Sequence, residues 1–321
     1  MRLTAVAMIR NEADILPDFL GHCAALFDDV LVVDHASTDG TAEILAAAAT
    51  RMPLTVLRFA QHAYVQSLIV TALVREAFAR GASWVFPLDA DELPMVAGRA
   101  ALIGCLPEDA TMVQWRWRNL WPQRPAGFAD FSAEGEHEVL PPASTGVVKV
   151  AVSRRLHDRV PRFTIAQGSH GLSRGREDAG TPIAIGHLAH FPIRSRERFV
   201  LKAELGARAV SAIPSVSPRS GFQWRQAAES GERFDGAAGL QRLRSHALRY
   251  PHVAQTDVVD TITFTPLGRM NGLPAGVPDA EAVRSREAEV TWHPLPDGPK
   301  SEWRIICTGD ALVLKGRSGR A

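Results

Sequence analysis

Short apolar runs separated by stretches of helical length dominate residues 1–90 of the chain. These runs predict strands over Leu3–Ile9, Val30–Val33, Leu54–Phe59 and Ser83–Leu88. The segments between them carry apolar residues three and four positions apart, which is the spacing of a helix with one buried face. Strands that alternate with helices in this way form a parallel sheet with right-handed crossovers. The sequence therefore predicts an α/β fold with a Rossmann-like, mostly parallel sheet flanked by helices.

Polar side chains follow three of these predicted strands at the point where each strand ends. The pairs are Asn11 with Glu12, Asp34 with Asp39, and Asp89 with Asp91. In an open α/β sheet, ligands bind in the crevice outside the carboxyl ends of the strands. We therefore expect these six side chains to converge on one site at that edge of the sheet.

The pair Asp89 and Asp91 has a spacing that suits a metal ion. Two carboxylates on a chain that is leaving a strand can turn into the same space, where they repel each other unless a cation lies between them. Oxygen ligands alone favour Mg²⁺ or Mn²⁺ over zinc or copper. A solvated surface turn is the alternative interpretation of such a short motif.

Composition indicates a soluble globular protein. The 321 residues are 46% apolar and 22% charged, with a net charge of +1 and a pI near 7.9, so no global charge points to nucleic acid. No apolar stretch approaches the roughly 20 residues that a membrane span needs. The three cysteines, Cys23, Cys105 and Cys307, have neither zinc spacing nor disulfide pairing. We expect a cytoplasmic protein without a transmembrane segment, for which peripheral membrane contact stays open.

The alternation of predicted strands and helices does not continue beyond Glu92. Residues 111–119 alternate apolar and polar side chains, which is typical of a strand with one wet face. Residues 122–142 are rich in proline and glycine and predict a long loop that carries Glu134, Glu136 and Glu138.

A helix is predicted from about Ser195 to Val210, after which Ser, Gly and Pro become frequent. This change divides the chain into a domain of residues 1–210 and a C-terminal extension of residues 211–321. The sequence assigns no role to the extension.

Four segments in order resemble one known family. They are Met8-Ile9-Arg10-Asn11-Glu12, then Leu31-Val32-Val33-Asp34-His35-Ala36-Ser37-Thr38-Asp39-Gly40-Thr41, then Trp84-Val85-Phe86-Pro87-Leu88-Asp89-Ala90-Asp91-Glu92, and finally His190-Phe191-Pro192-Ile193-Arg194-Ser195-Arg196-Glu197-Arg198-Phe199. Together they resemble the GT-A glycosyltransferases of the family 2 type, and most of all the branch related to family 92. The resemblance covers roughly residues 1–210.

The resemblance implies a hexosyltransferase-like enzyme that takes a sugar from a nucleotide-diphosphate donor and passes it to a hydroxyl group of a glycan or another acceptor. Asn11, Glu12, Asp34 and Asp39 would contact the base and ribose. Asp89 and Asp91 would bind the diphosphate through Mn²⁺ or Mg²⁺, and the resemblance puts His190 near that metal and the phosphates.

Chemistry adds two further roles to this scheme. Basic side chains such as Lys149, Arg154 or Lys202 can help to stabilise the leaving diphosphate. An inverting transfer also needs a base to take the proton of the attacking hydroxyl. The loop acids Glu134, Glu136 and Glu138 are all candidates, of which we favour Glu136. His35 departs from the family pattern, because many members have an acid there that reads the base.

Several of these residues have simpler interpretations. Asp39 and Asp14 are good helix caps, and His190 on an apolar run is also typical of a core histidine. Arg194, Arg196 and Arg198 are expected to form a solvated helix face.

Two rival functions remain open at this point. One is a catalytically inactive nucleotide-sugar-binding protein of the same fold. The other is a nucleotidyltransferase, which would need a glycine-rich, lysine-bearing loop after the first strand, and this sequence does not have one there. The sequence leaves the sugar, the base and the acceptor unassigned.

Overall fold

The structure is a computed structural model of the full chain. It describes residues 1–123, 127–141, 146–213, 224, 234, 236–251, 256, 258–290, 295 and 304–315.

The first part of the chain alternates strands and helices as the sequence predicts. Its elements are β1 (Leu3–Ile9), α1 (Leu16–Leu26), β2 (Asp29–Asp34), α2 (Thr41–Ala49), β3 (Leu54–Arg58), α3 (Gln66–Ala79) and β4 (Trp84–Pro87). β1 pairs in parallel with both β2 and β4, and β2 pairs in parallel with β3. These four strands form the parallel centre of the sheet, so the predicted α/β fold class is confirmed.

The rest of the chain adds shorter elements. They are β5 (Glu92–Pro94), α4 (Arg99–Gly104), β6 (Met112–Pro122), β7 (Gly135–Val139), β8 (Val148–Ser153), α5 (Arg154–Arg159), β9 (Thr164–Ile165), β10 (Leu172–Arg174), α6 (Arg176–Ala179), β11 (Ile183–His190), α7 (Arg196–Ser211), α8 (Gly236–Arg249), β12 (Asp260–Phe264), α9 (Ala280–Glu289), β13 (Arg304–Thr308) and β14 (Ala311–Lys315). Most of these strands extend the sheet, whose order is β12-β7-β6-β8-β4-β1-β2-β3-β14-β13. β11 pairs in parallel with β6 and antiparallel with β5.

Both faces of the sheet are covered, because alternate side chains of the central strands enter two different apolar clusters. In β1, Leu3 and Ala5 pack on the side of α1, where Phe19 is fully buried. Val6 points to the opposite side and packs with residues of α3 such as Leu73. Burial of a side chain the size of Phe19 contributes about 1.5–3 kcal/mol to folding, so both helix layers hold the central strands firmly in place. This rigidity fixes the positions of the residues that follow each strand.

Two local predictions were wrong. Residues 122–142 are not all loop, because β7 lies within them and pairs antiparallel with β12 of the C-terminal extension. The partner strand is more than a hundred residues away, and nothing local in a glycine- and proline-rich segment indicates such pairing. Neither predicted aspartate cap forms, because the N-cap residue is Ile15 in α1 and Gly40 in α2, and neither of these residues makes a side-chain cap bond.

The predicted boundary at residue 210 is crossed by strand pairing. β12 joins one edge of the sheet through β7, and β14 joins the other edge through β3. The division into two domains stays a prediction. Within the described residues, no helix is both long and apolar enough to cross a bilayer.

Candidate functional site

A cavity of about 710 Å³ opens where the ends of β1, β4 and β11 meet. Five of the predicted donor- and metal-binding residues lie in its wall: Asn11, Glu12, Asp89, Asp91 and His190. Three separate parts of the chain therefore supply polar groups to one space, as the strand order predicts. The volume is in the range of about 300–1,000 Å³ that is typical of small-molecule and cofactor sites.

Two residues just beyond the first two strands have strained backbones. Asn11 and Ala36 have φ angles of 54° and 52°, in the left-handed region that residues other than glycine rarely adopt. The turn lets the Asn11 side chain face the β2–α2 loop, where its Oδ1 accepts a hydrogen bond from the backbone N–H of Thr38 at 2.7 Å. Strain of this kind persists where the surrounding structure enforces it, often at functional sites.

Two buried or half-buried lysines each connect one acid of the Asp89/Asp91 pair to a glutamate. Lys149 Nζ lies 2.6 Å from Asp89 Oδ2 and 3.0 Å from Glu92 Oε2. Lys202 Nζ lies 2.8 Å from Asp91 Oδ2 and 3.0 Å from Glu12 Oε1. Each of the two aspartates is thus oriented by its own ammonium group.

These contacts set the charge states of the aspartate pair and its lysines. Burial alone would raise the pKa of Asp91, but the neighbouring positive groups together, of which the Lys202 ammonium has the largest effect, hold that pKa well below its usual range. Burial would lower the pKa of Lys202, yet the carboxylates of Asp91 and Glu12 raise it. Asp91 and Lys202 are therefore both charged at neutral pH.

The pKa of Glu92, a completely buried residue, is shifted in the opposite direction to that of Asp91. Its Oε1 accepts a hydrogen bond from Trp117 Nε1 at 2.7 Å, and its Oε2 accepts one from the backbone N–H of Asp89 at 2.9 Å. Burial raises the pKa of Glu92 to about 8 against the opposing effect of Lys149. Glu92 therefore stabilises the turn that carries Asp89 by a hydrogen bond from the protein interior.

Arg194 and Arg198 are buried, which contradicts the predicted solvated helix face. Arg194 donates from Nε to Asp14 Oδ2 at 2.7 Å and from Nη2 to Glu12 Oε2. Arg198 donates from Nη1 to Asp39 Oδ2 at 2.8 Å. These two cations neutralise acids that follow β1 and β2, so they join the start of α7 to the strand ends.

His190 is fixed in one tautomer. The amide nitrogen of Asn119 donates to the carbonyls of Leu248 and Tyr250, so its Oδ1 faces His190 Nδ1 at 2.7 Å and accepts a hydrogen bond from it. The other ring nitrogen, Nε2, therefore carries a lone pair. Burial lowers the pKa of His190 to about 3, so the ring is neutral at pH 7 and can serve as a metal ligand.

Four predicted site residues are not among the described residues that line the cavity. Asp34 accepts a hydrogen bond from the Ser37 backbone, and Asp39 accepts from Ala13 and Thr41 as well as Arg198. Both hold the strand-end turns together. Lys149 lies behind Asp89, and Glu136 is an exposed residue of β7. Direct ligand contact by these four residues stays a prediction.

His35 has a structural role. Its Nε2 donates a hydrogen bond to the carbonyl of Gln61 at 2.8 Å. Burial lowers its pKa to about 3, so it is a neutral residue in the wall of the cavity. It cannot replace the charge of the acid that many family 2 members have at this position.

Gln66, the first residue of α3, has a role at the site for which the sequence contains only a weak signal. Its Nε2 donates to Asp89 Oδ1 at 2.9 Å, and its Oε1 accepts from the backbone N–H of Gly168 at 2.8 Å. A polar residue at the start of a largely apolar helix that follows a central strand is the one signal that indicates it. Gln66 connects the loop of residues 167–170 to the aspartate pair.

Gly168 in this loop is a required glycine. Its φ is 70°, and a Cβ built on it would lie 2.3 Å from Nε2 of His170. We expect Gly168→Ala to lower the free energy of unfolding by about 1–3 kcal/mol, since both the backbone and the histidine ring would have to shift.

Urea denaturation measures this effect. Gly104→Ala is the matched control, because Gly104 ends α4 and has no atom within 4 Å of a built Cβ. A Gly168→Ala variant as stable as the wild type would show that the loop adopts another conformation.

The C-terminal extension also reaches the site. Tyr250 and Trp224 lie in the cavity wall, and Tyr64 packs edge-on against Trp224 with ring centroids 5.0 Å apart. Glu287 of α9 accepts hydrogen bonds from Arg10 at 2.8 Å and from Thr38 Oγ1 at 2.8 Å. Residues beyond 210 therefore border the same cavity as the strand ends.

The donor set and the charge balance both fit a divalent cation. The acidic side chains of the connected cluster outnumber its cations even with Glu92 protonated: Glu12, Asp14, Asp39, Asp89, Asp91 and Glu92 face Lys149, Arg194, Arg198 and Lys202. An anionic ligand would add to this excess of negative charge, which a divalent cation would offset. Within the described residues, no three His, Cys, Asp or Glu side chains are grouped as ready-made metal ligands. A Mg²⁺-like site completed by ligand phosphates needs only one or two carboxylates, which Asp89 and Asp91 provide.

Comparison with known proteins finds partial similarity to solved structures. No family model matches the sequence, and no curated protein matches it significantly. A structure of S. aureus TarS 1-349 in complex with UDP-GlcNAc aligns with 72% of this chain and 71% of that chain at 13% identity, with a TM-score of 0.40. The glucosyl-3-phosphoglycerate synthase from Mycobacterium tuberculosis in complex with Mg²⁺ and UDP aligns with 66% of this chain and 77% of that chain at 18% identity, with a TM-score of 0.33.

The extent of similarity varies among these structures. S. aureus TarS 1-349 in complex with UDP aligns with only 29% of this chain and 28% of that chain, at 20% identity and a TM-score of 0.24. TM-scores of this size do not establish a shared family. The function is therefore inferred from the geometry of the site.

Proposed function

We propose that this protein is an inverting, metal-dependent glycosyltransferase of the GT-A type, which moves a hexosyl group from a nucleotide-diphosphate donor to a hydroxyl acceptor. The observation that carries the proposal is the meeting of Asn11, Asp91 and His190, from three separate strand ends, in one cavity of about 710 Å³. The motif resemblance of residues 1–210 supports the same assignment. Membership of the family 92-related branch stays a prediction from the sequence.

The donor diphosphate would bind beside Asp89 and Asp91, with the divalent ion held by these two carboxylates. His190 as a further ligand stays a prediction of the resemblance, since the described residues do not group three such side chains around one point. When bound, Mn²⁺ or Mg²⁺ supplies positive charge that stabilises the leaving diphosphate. Lys202 is half-buried and lines the cavity, so its ammonium can add to that stabilisation. Lys149 acts indirectly, because it orients the carboxylate of Asp89 from behind.

The nucleoside would lie against the ends of β1 and β2 and the segment before α3, where Met8, Arg10, His35 and Tyr64 form the wall. A second part of the wall, at the end of β11, is also aromatic. There Trp117 stacks on His190 with ring centroids 4.0 Å apart, and Tyr250 lies beside them. Aromatic walls suit a sugar ring, so we assign the acceptor to this end.

A donor panel tests the proposal directly. UDP-glucose, UDP-GlcNAc, UDP-galactose and GDP-mannose are incubated separately with the protein and Mn²⁺, and sugar release is followed by chromatography. The proposal predicts release from at least one donor, which stops when the metal is chelated. Release that continues in excess chelator would contradict metal dependence.

The same panel separates this enzyme from an inactive binding protein of the same fold. The pairing of both aspartates with lysines is the observation that favours the inactive alternative, since a binding site needs no open carboxylates. Nucleotide binding without any sugar release from any donor would establish it.

A further inference from the structure

His170 lies in the cavity wall on the side of the antiparallel strands. Its Nδ1 is 2.8 Å from the carbonyl oxygen of Val148, which can only accept, so Nδ1 carries the proton. The tautomer is therefore fixed, and Nε2 presents a lone pair. The side chain is exposed, in contrast to His190, and its ring meets Trp117 edge-on with centroids 5.4 Å apart.

The loop that carries His170 is fastened to the aspartate pair. Gly168 donates its backbone N–H to Gln66, and Gln66 donates to Asp89. Only two hydrogen bonds therefore separate the histidine loop from a predicted metal ligand. Ser169 has a φ of 56°, which is a further enforced conformation beside His170. These contacts hold the loop in one conformation and therefore fix the position of the His170 ring.

The other proton acceptors in the described part of the cavity wall are already engaged. Glu12 and Asp91 are paired with Lys202, and Asp89 is paired with Lys149. His35 donates from Nε2 to the carbonyl of Gln61 and its ring also bonds to the backbone of Ala63, and His190 is the predicted metal ligand. Glu136 is not among the lining residues. His170 is thus the described wall residue with a basic nitrogen left for an acceptor.

We propose that His170 is the general base of the transfer. Its Nε2 takes the proton of the acceptor hydroxyl as the acceptor oxygen forms a bond to the anomeric carbon. The bond between that carbon and the donor phosphate oxygen breaks, and its electron pair leaves with the nucleoside diphosphate. The inference rests on the proposed function and adds to it the residue that activates the acceptor.

The surroundings of His170 keep the ring in the basic, neutral form. The surrounding wall removes part of the water around the exposed ring. This desolvation and the ammonium of Lys149 lower the pKa of His170 below the usual value, while Asp89 and the Val148 carbonyl act in the opposite direction. His190 is the other titratable ring on this side, and it is neutral. The rate is therefore expected to rise with pH through a pKa below about 6.5 and then to level off.

The test uses water and azide as acceptors, because both are available without knowing the natural one. The donor is whichever panel member the wild type hydrolyses in the presence of Mn²⁺. We expect His170→Gln to lower the rate of donor hydrolysis by about 10²–10⁴-fold. The dissociation constant for UDP or GDP with Mn²⁺ should stay within about twofold, since His170 does not bind the nucleotide. His187→Gln is the matched control, because His187 lies on β11 outside the cavity wall.

Azide distinguishes a base from a merely structural residue. It carries no proton, so it needs no base, and it should restore glycosyl release as the glycosyl azide in His170→Ala. Hydrolysis at the wild-type rate in His170→Gln, or no azide product from a His170→Ala protein that still binds nucleotide, would overturn the assignment. Loss of the low-pH limb in the pH profile of His170→Gln would support it. A wild type that binds none of the nucleotides would instead overturn the proposed function itself.

Discussion

Asp91→Asn is expected to reduce the kcat/KM of sugar transfer or donor hydrolysis by about 10²–10³-fold. The substitution keeps the shape of the side chain but removes the charge that would hold the divalent ion. It also removes the ionic partner of Lys202, which keeps Glu12 as its second contact. Stabilisation of the leaving diphosphate is therefore lost while the fold is retained. Initial rates at saturating Mn²⁺ measure the effect.

The matched control is Asp109→Asn, which removes the same charge from an exposed residue before β6. Its rate should equal that of the wild type. An Asp91→Asn protein with full activity and an unchanged melting temperature would show that the carboxylate is not part of the catalytic site.

Arg194→Met is expected to lower the free energy of unfolding by about 3–5 kcal/mol. Arg194 is buried between Asp14 and Glu12, and its loss leaves both carboxylates with fewer cationic contacts. Removing one partner of a buried ion pair is costly because the remaining charge has lost its water and gained nothing in return. Chemical denaturation of wild type and variant measures the difference.

The pH dependence of the free energy of unfolding provides a second test of the effect of Arg194→Met. Burial would raise the pKa of Asp14, but Arg194 and Arg198 hold it below its usual value. In the wild type, Asp14 therefore stabilises the fold above its unfolded pKa, and this contribution is lost as pH falls through the folded pKa. Without Arg194 the pKa rises, so the deficit of the variant should be smaller near pH 5 than near pH 7.5 because protonation relieves the unpaired charge.

Arg284→Met is the control for this experiment. Arg284 forms an exposed pair with Glu204, and such pairs contribute no more than about 1 kcal/mol. Equal effects of the two substitutions would contradict the burial of the Arg194 cluster.

The positions of the strand ends could be predicted from sequence because they depend on local periodicity and on a general rule of α/β sheets. Asn11, Glu12, Asp89 and Asp91 follow buried strands of a parallel sheet, so their convergence required no knowledge of distant contacts. The same rule predicted that Asp34 and Asp39 lie at the carboxyl edge of the sheet. It could not show that these two aspartates face the neighbouring turns and not the cavity.

The charge partners could not be predicted, because they come from far along the chain. Lys149 is 60 residues from Asp89, and Lys202 is 111 residues from Asp91. Arg194 looked like part of a solvated helix face, since Arg196 and Arg198 follow it at alternate positions. Its burial depends on acids 180 and 182 residues earlier, which no local pattern records.

The contacts of the extension of residues 211–321 could not be predicted for the same reason, because their partners are far away in the sequence. Its sequence has no motif of its own, yet β12 pairs with β7 and Glu287 reaches the turn after β1. These contacts make the C-terminal part a border of the site, although its function in the reaction stays unassigned.

Isothermal titration of UDP and of GDP, each with and without Mn²⁺, tests the central claim most directly, namely that the strand-end acids and a cation together bind a nucleotide diphosphate. We predict that Mn²⁺ strengthens the binding of at least one nucleotide by at least about tenfold in the wild type, and that Asp91→Asn removes this gain. Nucleotide affinity that responds neither to the metal nor to the substitution would contradict it.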